Sequence, residues 1–194
     1  EDKCSGFVMR AELENAKKVL ENAEKPFTAI MGGAKISDKI MIIEQLLDKV
    51  DNLIIGGGMS YTFFKAMGGS IGNSLVEVDK LDLAKSLIAK AKEKGVNLQL
   101  PKDSVTADAF DNDANTQIAD NHSIQDGWMG LDLGPESTQV FADLISESKT
   151  ILWNGPMGAF EVRPFDQATV QLAQHAALLT GEEKLLSVAG GGDT

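Results

Sequence analysis

The chain has 194 residues, 43% of them hydrophobic and 24% charged, with 19 Gly, 5 Pro and one Cys, which is the composition of an ordinary folded globular protein. Its 18 Lys and Arg against 29 Asp and Glu leave a formal net charge of −11, and that argues against a nucleic-acid or anionic-membrane partner. No apolar run approaches the roughly 18 residues of a bilayer span, Glu1-Asp2-Lys3-Cys4 shows no signal-peptide core, and the lone Cys4 excludes an internal disulfide framework and fits a reducing cytosol. Length suggests a single domain that buries roughly 70% of its unfolded surface without a disulfide or metal staple. The expectation is an acidic cytosolic domain that handles a small molecule.

From Met9 to Glu24, Leu13, Ala16, Leu20 and Ala23 recur at helical spacing, and Pro26 stops the pattern. Phe27-Thr-Ala-Ile-Met31 is a short continuous apolar run, the pattern of a strand buried on both faces. Ser37 is a candidate N-cap for a helix through Val50 whose Ile40, Ile43, Leu47 and Val50 share a face. The cycle repeats with a strand at Asn52-Leu-Ile-Ile55, a short helix from Met59 to Met67, and a longer helix from Asp79 to Lys94 stopped by Gly95. Val96 to Leu100 reads as a strand closed by Pro101. Residues 101–130 are a polar, Asp-rich excursion, of the kind that is functional or carries short structure of its own. Pro135 sits at the N1 position of a helix carrying Val140, Phe141, Leu144 and Ile145. Thr150-Ile-Leu-Trp153 is a strand, Gln167 to Leu179 a helix, and Leu185 to Ala189 a last strand. Strands alternating with helices of this length predict a doubly wound, Rossmann-like α/β fold, with a parallel sheet covered by helices on both faces.

Gly32-Gly33, Gly56 to Gly58 and Gly190 to Gly192 each follow an apolar strand. In a parallel sheet such turns lie together at the carboxyl edge, where α/β folds bind ligands. One such turn is most simply a tight connection; three on one edge favour a binding edge for an anionic ligand. The common phosphate signatures fail. Gly32-Gly-Ala-Lys35 is not a P-loop, and Tyr61 stands where a dinucleotide fingerprint beginning at Gly56 needs Gly. Lys35 lies in the first turn and Lys39 opens the next helix, a placement that opposes the helix dipole unless an anion completes it or Asp38 offsets it. Solvated surface lysines are the alternative. Asp111-x-Asp113-x-Asn115 imitates a calcium loop, but Thr116 replaces the required Gly and His122 the closing Glu. With His122 and His175 the only histidines and one Cys, no Cys/His metal cluster is possible. His175, Trp128 and Trp153 are read as packing residues.

Five segments occur in a specific order: Gly-Gly-Ala-Lys-Ile-Ser-Asp-Lys-Ile (32–40), Ile-Gly-Gly-Gly-Met-Ser-Tyr-Thr-Phe (55–63), Gly-Trp-Met-Gly-Leu-Asp-Leu-Gly-Pro (127–135), Trp-Asn-Gly-Pro-Met-Gly-Ala-Phe-Glu (153–161) and Gly-Gly-Gly-Asp-Thr (190–194). Together the chain closely resembles the C-terminal, nucleotide-binding domain of the phosphoglycerate kinase family over essentially its whole length. The resemblance makes residues 1–25 an interdomain helix region and 26–194 a nucleotide-binding domain. It implies reversible phosphoryl transfer from 1,3-bisphosphoglycerate to ADP, giving 3-phosphoglycerate and ATP, with Mg²⁺. It further implies that Lys35 stabilises the transferring phosphoryl group and Lys39 contacts nucleotide phosphates. By the same likeness Asp193 holds Mg²⁺, Thr194 caps a phosphate, Asn154 touches the phosphate end, Pro156 the ribose, and Glu161 the ribose hydroxyls. Gly33, Gly57, Gly58, Gly130, Leu131 and Gly158 would shape the adenine slot.

The resemblance also implies a second, N-terminal domain for the glycerate substrate, which this sequence lacks, and a helix and strand beyond Thr194. The expectation is therefore a monomer that binds a nucleotide weakly and does not turn over alone. The competing reading is a non-catalytic nucleotide-binding module, which has little need of Lys35; a dinucleotide-dependent oxidoreductase comes third.

Overall fold

The run Phe27–Met31 becomes the middle strand of a sheet because all five of its side chains are buried, with helices packed on either side. The structure, a computed structural model, describes residues 23–191. In chain order its elements are β1 (Phe27–Met31), α1 (Ile40–Leu46), β2 (Asn52–Ile55), α2 (Ser60–Ala66), β3 (Ser70–Ile71), α3 (Leu81–Glu93), β4 (Asn97–Gln99), β5 (Asp103–Ala107), β6 (Thr116–Asp120) and β7 (Ser123–Ile124). They continue with β8 (Met129–Leu133), α4 (Pro135–Glu147), β9 (Thr150–Asn154), α5 (Gln167–Gly181) and β10 (Leu186–Gly190).

Five strands form the central sheet in the order β10-β9-β1-β2-β4, every pairing parallel. Side chains alternate across β1. Phe27, Ala29 and Met31 enter a core with Ile43 and Leu46 of α1 and Leu87 of α3, whereas Ile30 joins Phe141 and Ile145 of α4 and Leu172 of α5 on the other face. Each such Phe or Leu contributes about 1.5–3 kcal/mol on full burial, so both faces need apolar residues and the run loses the alternation of a half-exposed strand. The doubly wound α/β class is therefore observed. Among the described residues no helix is long and apolar enough to cross a membrane.

Residues 101–130 carry short structure of their own, one of the two expectations for that stretch. β5 is the middle strand of an antiparallel sheet of order β6-β5-β8, and β3 pairs with β7 in a separate parallel pair. This small sheet caps α4. Gly134, the residue before Pro135, has no side chain with which to cap, and Asp103 of β5 does it instead. The Asp103 carboxylate accepts bonds from the backbone N–H of Glu136 (3.1 Å) and Ser137 (2.7 Å), two of the donors every helix start leaves unpaired.

The helix expected from Ser37 also begins later. A 3-10 turn covers Ile36–Asp38, α1 starts at Ile40 with Lys39 in the cap position, and Ser37 makes no cap. The helix expected over Met9 to Glu24 lies outside the described residues except for Ala23 and Glu24, which are irregular. The interdomain region assigned to residues 1–25 falls almost wholly outside them too. His175 is held between helices by a 2.7 Å hydrogen bond with Ser146, and Trp153 is buried with its indole N–H donating to the Gly155 carbonyl, both packing roles.

Candidate functional site

At the carboxyl edge of the sheet, the turns after β1, β2 and β9 are knitted together backbone to backbone. Gly32 N–H donates to the Asn154 carbonyl (2.9 Å), Gly33 N–H to Pro156 O (3.0 Å), Gly57 N–H to Met157 O (3.1 Å) and Met59 N–H to Gly33 O (3.1 Å). A Cβ on Gly32 would fall on the Pro156 carbonyl, and one on Gly57 would stand 2.6 Å from both N and O of Gly33. Gly57 also has φ +68°, a conformation that favours glycine. These glycines therefore serve close packing of three turns. The Gly33 and Gly57 amides are taken up by carbonyls, so an anion at this edge must rely on other donors. Gly57→Ala is expected to destabilise the fold by about 1–3 kcal/mol, read as a lower urea midpoint, and to open the cleft described next.

The knitted turns form one wall of a cleft of about 490 Å³. Gly33, Gly57, Gly58, Gly130, Leu131, Pro156, Gly158 and Glu161, all singled out in the sequence, line it. Tyr61, Leu75, Phe110 and Met129 line it as well, and sequence reasoning passes over them. Tyr61 stands out there only as a missing glycine. Phe110, 56% exposed, has a readable signal, being an aromatic side chain in an otherwise polar, acidic stretch.

Two further glycines are explained by what stands behind them. A Cβ on Gly130 would strike the Tyr61 hydroxyl, and one on Gly158 the carboxylate of Asp132. Tyr61 is fixed by a buried chain of hydrogen bonds. Its hydroxyl pairs with Ser104 Oγ (2.8 Å), Ser104 donates to Asn121 Oδ1 (2.6 Å), and Asn121 donates to the Pro101 carbonyl (3.0 Å). Burial pushes the Tyr61 phenol well above its ordinary pKa, so it stays neutral. Asp132 is 3% exposed and accepts from Ala168 N–H (3.0 Å) and Leu133 N–H (2.9 Å). Burial raises its pKa to about 7, against the pull of those two amides and that of Gln167 and with help from the charge of Asp166.

Lys35 and Lys39 are differently held. The Lys39 ammonium donates to Asn154 Oδ1, and its Cε passes 3.7 Å from where a Gly33 Cβ would be, so its stem runs beside the cleft wall. Lys35 sits just before the 3-10 turn with extended backbone (φ −127°, ψ 133°), exposed, one residue from the cleft-lining Ala34. It makes no ion pair among the described residues. The structure thus brings Lys39 and Asn154 together and places Lys35 on the same turn. Asp193 and Thr194 lie outside the described residues, as does Gly192. Among the described residues no group of three or more His, Cys, Asp or Glu side chains could hold a metal. The Asp111–Asn115 stretch is a self-bonded turn, with Asp113 N–H donating to Asp111 (2.9 Å).

A parallel sheet wound on both faces, with an apolar, glycine-walled cleft at its carboxyl edge and lysines at one end, defines a doubly wound α/β domain with a ligand cleft in the usual position. The sequence model of the family described as "Phosphoglycerate kinase" matches residues 1–194. The chain is 51% identical over 189 residues to the "Phosphoglycerate kinase" of Clostridium botulinum strain Hall, covering 97% of this chain and 46% of that relative. It is also 51% identical over 190 residues to that of Trichodesmium erythraeum strain IMS101, covering 98% and 47%. The solved phosphoglycerate kinase from Coxiella burnetii superposes with a TM-score of 0.88 at 42% identity, over 97% of this chain and 48% of that one. The enzyme from Pyrococcus horikoshii, at TM-score 0.78 and 22% identity, adds support for the fold alone. The chain belongs to the phosphoglycerate kinase family, and it spans about half the length of the curated relatives it matches.

Proposed function

We propose that this chain is the ADP/ATP-binding half of a phosphoglycerate kinase, contributing to reversible phosphoryl transfer from 1,3-bisphosphoglycerate to ADP. The observation that carries the reading is the continuity of the cleft with the lysine turn. An apolar slot opens beside Gly33, along which the Lys39 stem runs to Asn154. Phosphoryl transfer asks little covalent chemistry of a protein; positioning and neutralising the charge that spreads over the phosphoryl oxygens do most of the work. Lys39, released from Asn154, meets the nucleotide phosphates. Asn154 is then free to hydrogen-bond the phosphate end, and Lys35 faces the group in transit.

Pro156 packs on the ribose and Glu161 accepts from its hydroxyls, while Gly33, Gly57, Gly58, Gly130, Leu131 and Gly158 admit the base. Mg²⁺ enters as part of the nucleotide complex. Asp193 would hold the ion together with the nucleotide phosphates, and Thr194 would cap a phosphate. The glycerate substrate then belongs to a separate domain, and transfer requires that domain to close on this one.

Calorimetric titration with MgADP tests the reading. Saturable binding is expected, weakened about tenfold by Lys39→Ala, which corresponds to about 1.4 kcal/mol, with no response to NAD. A folded chain that binds no MgADP, or one that binds NAD equally well, overturns it.

A further inference from the structure

The turn that carries both lysines does not cap itself. Lys35 precedes the 3-10 turn Ile36–Asp38 without any side-chain capping bond. The missing acceptor arrives from 40 residues along the chain: Glu77 takes the Ser37 hydroxyl on Oε1 and the Ser37 backbone N–H on Oε2 at 3.2 Å. Glu77 is itself tied down, because its own N–H donates to Thr62 Oγ1 (3.1 Å) in α2, the helix that follows the Gly56–Gly58 turn. Two residues earlier, Leu75 lines the cleft, its Cδ2 3.0 Å from where a Gly58 Cβ would lie. One short segment therefore touches the lysine turn, the helix behind the second glycine turn and the wall of the base slot.

Electrostatics alone does not account for a carboxylate here. A negative charge behind a turn that receives phosphates repels them, and an uncharged acceptor would cost the ligand nothing. What a carboxylate offers is two acceptor oxygens in a fixed plane, and charge-assisted hydrogen bonds are shorter and stronger than neutral ones. Held at both its N–H and its hydroxyl, Ser37 fixes the backbone between Lys35 and Lys39.

We propose that Glu77 is a positioning residue that sets the lysine turn against the cleft and so determines how well the phosphates of a nucleoside diphosphate are met. This rests on the nucleotide-binding reading given above. The two explanations for Glu77 differ in sign: if its charge dominated, Glu77→Ala would tighten MgADP binding, whereas loss of positioning weakens it.

The test is calorimetric titration of the wild type, Glu77→Ala and Glu77→Gln with MgADP and with adenosine, which occupies the base slot without phosphates. Glu77→Ala is expected to weaken MgADP about tenfold and adenosine less than twofold, and Glu77→Gln, which keeps one of the two acceptors, to recover only part of the loss. Equal weakening of both ligands, unchanged MgADP binding or tighter MgADP binding overturns the proposal. Amide hydrogen exchange supplies a readout that needs no ligand. The Lys39 amide, bonded to the Ile36 carbonyl, is expected to exchange about tenfold faster in Glu77→Ala while β1 and β2 keep their wild-type protection. If the wild type binds neither ligand, the nucleotide reading fails, and the Lys39 amide alone decides: unchanged exchange overturns the role of Glu77.

Discussion

Lys35→Ala, in an enzyme assembled to the full length of its relatives, is expected to lower kcat by about 10²–10³ while changing MgADP affinity less than tenfold. The magnitude is that of removing one preorganised charged or hydrogen-bonding group from a transition state, about 3–4 kcal/mol. The asymmetry comes from how the two lysines stand. Lys39 is already tethered beside the cleft wall by Asn154, as suits a ground-state phosphate contact. Lys35 is exposed and makes no ion pair among the described residues, so its charge is available for the group that moves. Steady-state kinetics at saturating MgADP, set beside direct titration, separates the two effects. A kcat within twofold of wild type removes Lys35 from the chemistry, and an unchanged kcat with weakened MgADP binding makes it a simple binding group.

Asp132→Asn is expected to remove a pH dependence of stability that the wild type carries between about pH 4 and pH 7. The folded carboxyl titrates at about 7 because it is buried, against 3.8 for the unperturbed group. Over that window the folded chain keeps a proton that the unfolded chain releases. Stability from this group therefore falls as pH rises and levels off above about 7. The gap between folded and unfolded carboxyl corresponds to about 4 kcal/mol at most. Urea unfolding of both proteins at pH 5 and pH 8 isolates the effect, since all other carboxylates are common to both. The wild type should lose stability relative to Asp132→Asn by a few kcal/mol between the two pH values. A difference independent of pH would mean that Asp132 does not titrate in this range. Because Gly158 rests against this carboxylate, MgADP affinity measured over the same range shows whether its ionisation disturbs the cleft wall.

Much of this architecture is visible in the sequence, and the parts that are not have a common cause. β1, β2, β9 and α4 are recognisable because each is governed by its own residues: continuous apolar runs for strands buried twice over, and Pro135 with Phe141 and Ile145 for a helix with one buried stripe. The antiparallel sheet is not, because Asp103-Ser-Val-Thr-Ala107 and Thr116-Gln-Ile-Ala-Asp120 are short and polar and owe their strand conformation to each other. Likewise Ser37 has the chemistry of a cap, yet its hydroxyl is claimed by Glu77. The glycine turns after β1 and β2 do meet at the carboxyl edge, but for a different physical reason. Their amides are expected to face a ligand, and at Gly33 and Gly57 they face carbonyls of the neighbouring turn. Local pattern conveys which residues are special; only the partner from across the chain conveys what each is special for.

The pairing of β1 fixes the order in which a growing chain acquires its cleft. β2 follows β1 closely in sequence, and residues 27–96 supply all the buried members of one core cluster, against which Leu152 of β9 packs later. The other neighbour of β1 is reached only across a long loop, as the buried bond between Thr28 and Ser148, 120 residues apart, illustrates. Contacts of such separation are costly to close and form slowly. During synthesis, when domains fold as the chain emerges from its N-terminal side, the amides of Gly32 and Gly33 wait for the carbonyls of Asn154 and Pro156. A nascent chain cut short before β9 holds three of the five strands and lacks residues 156–161, one wall of the cleft.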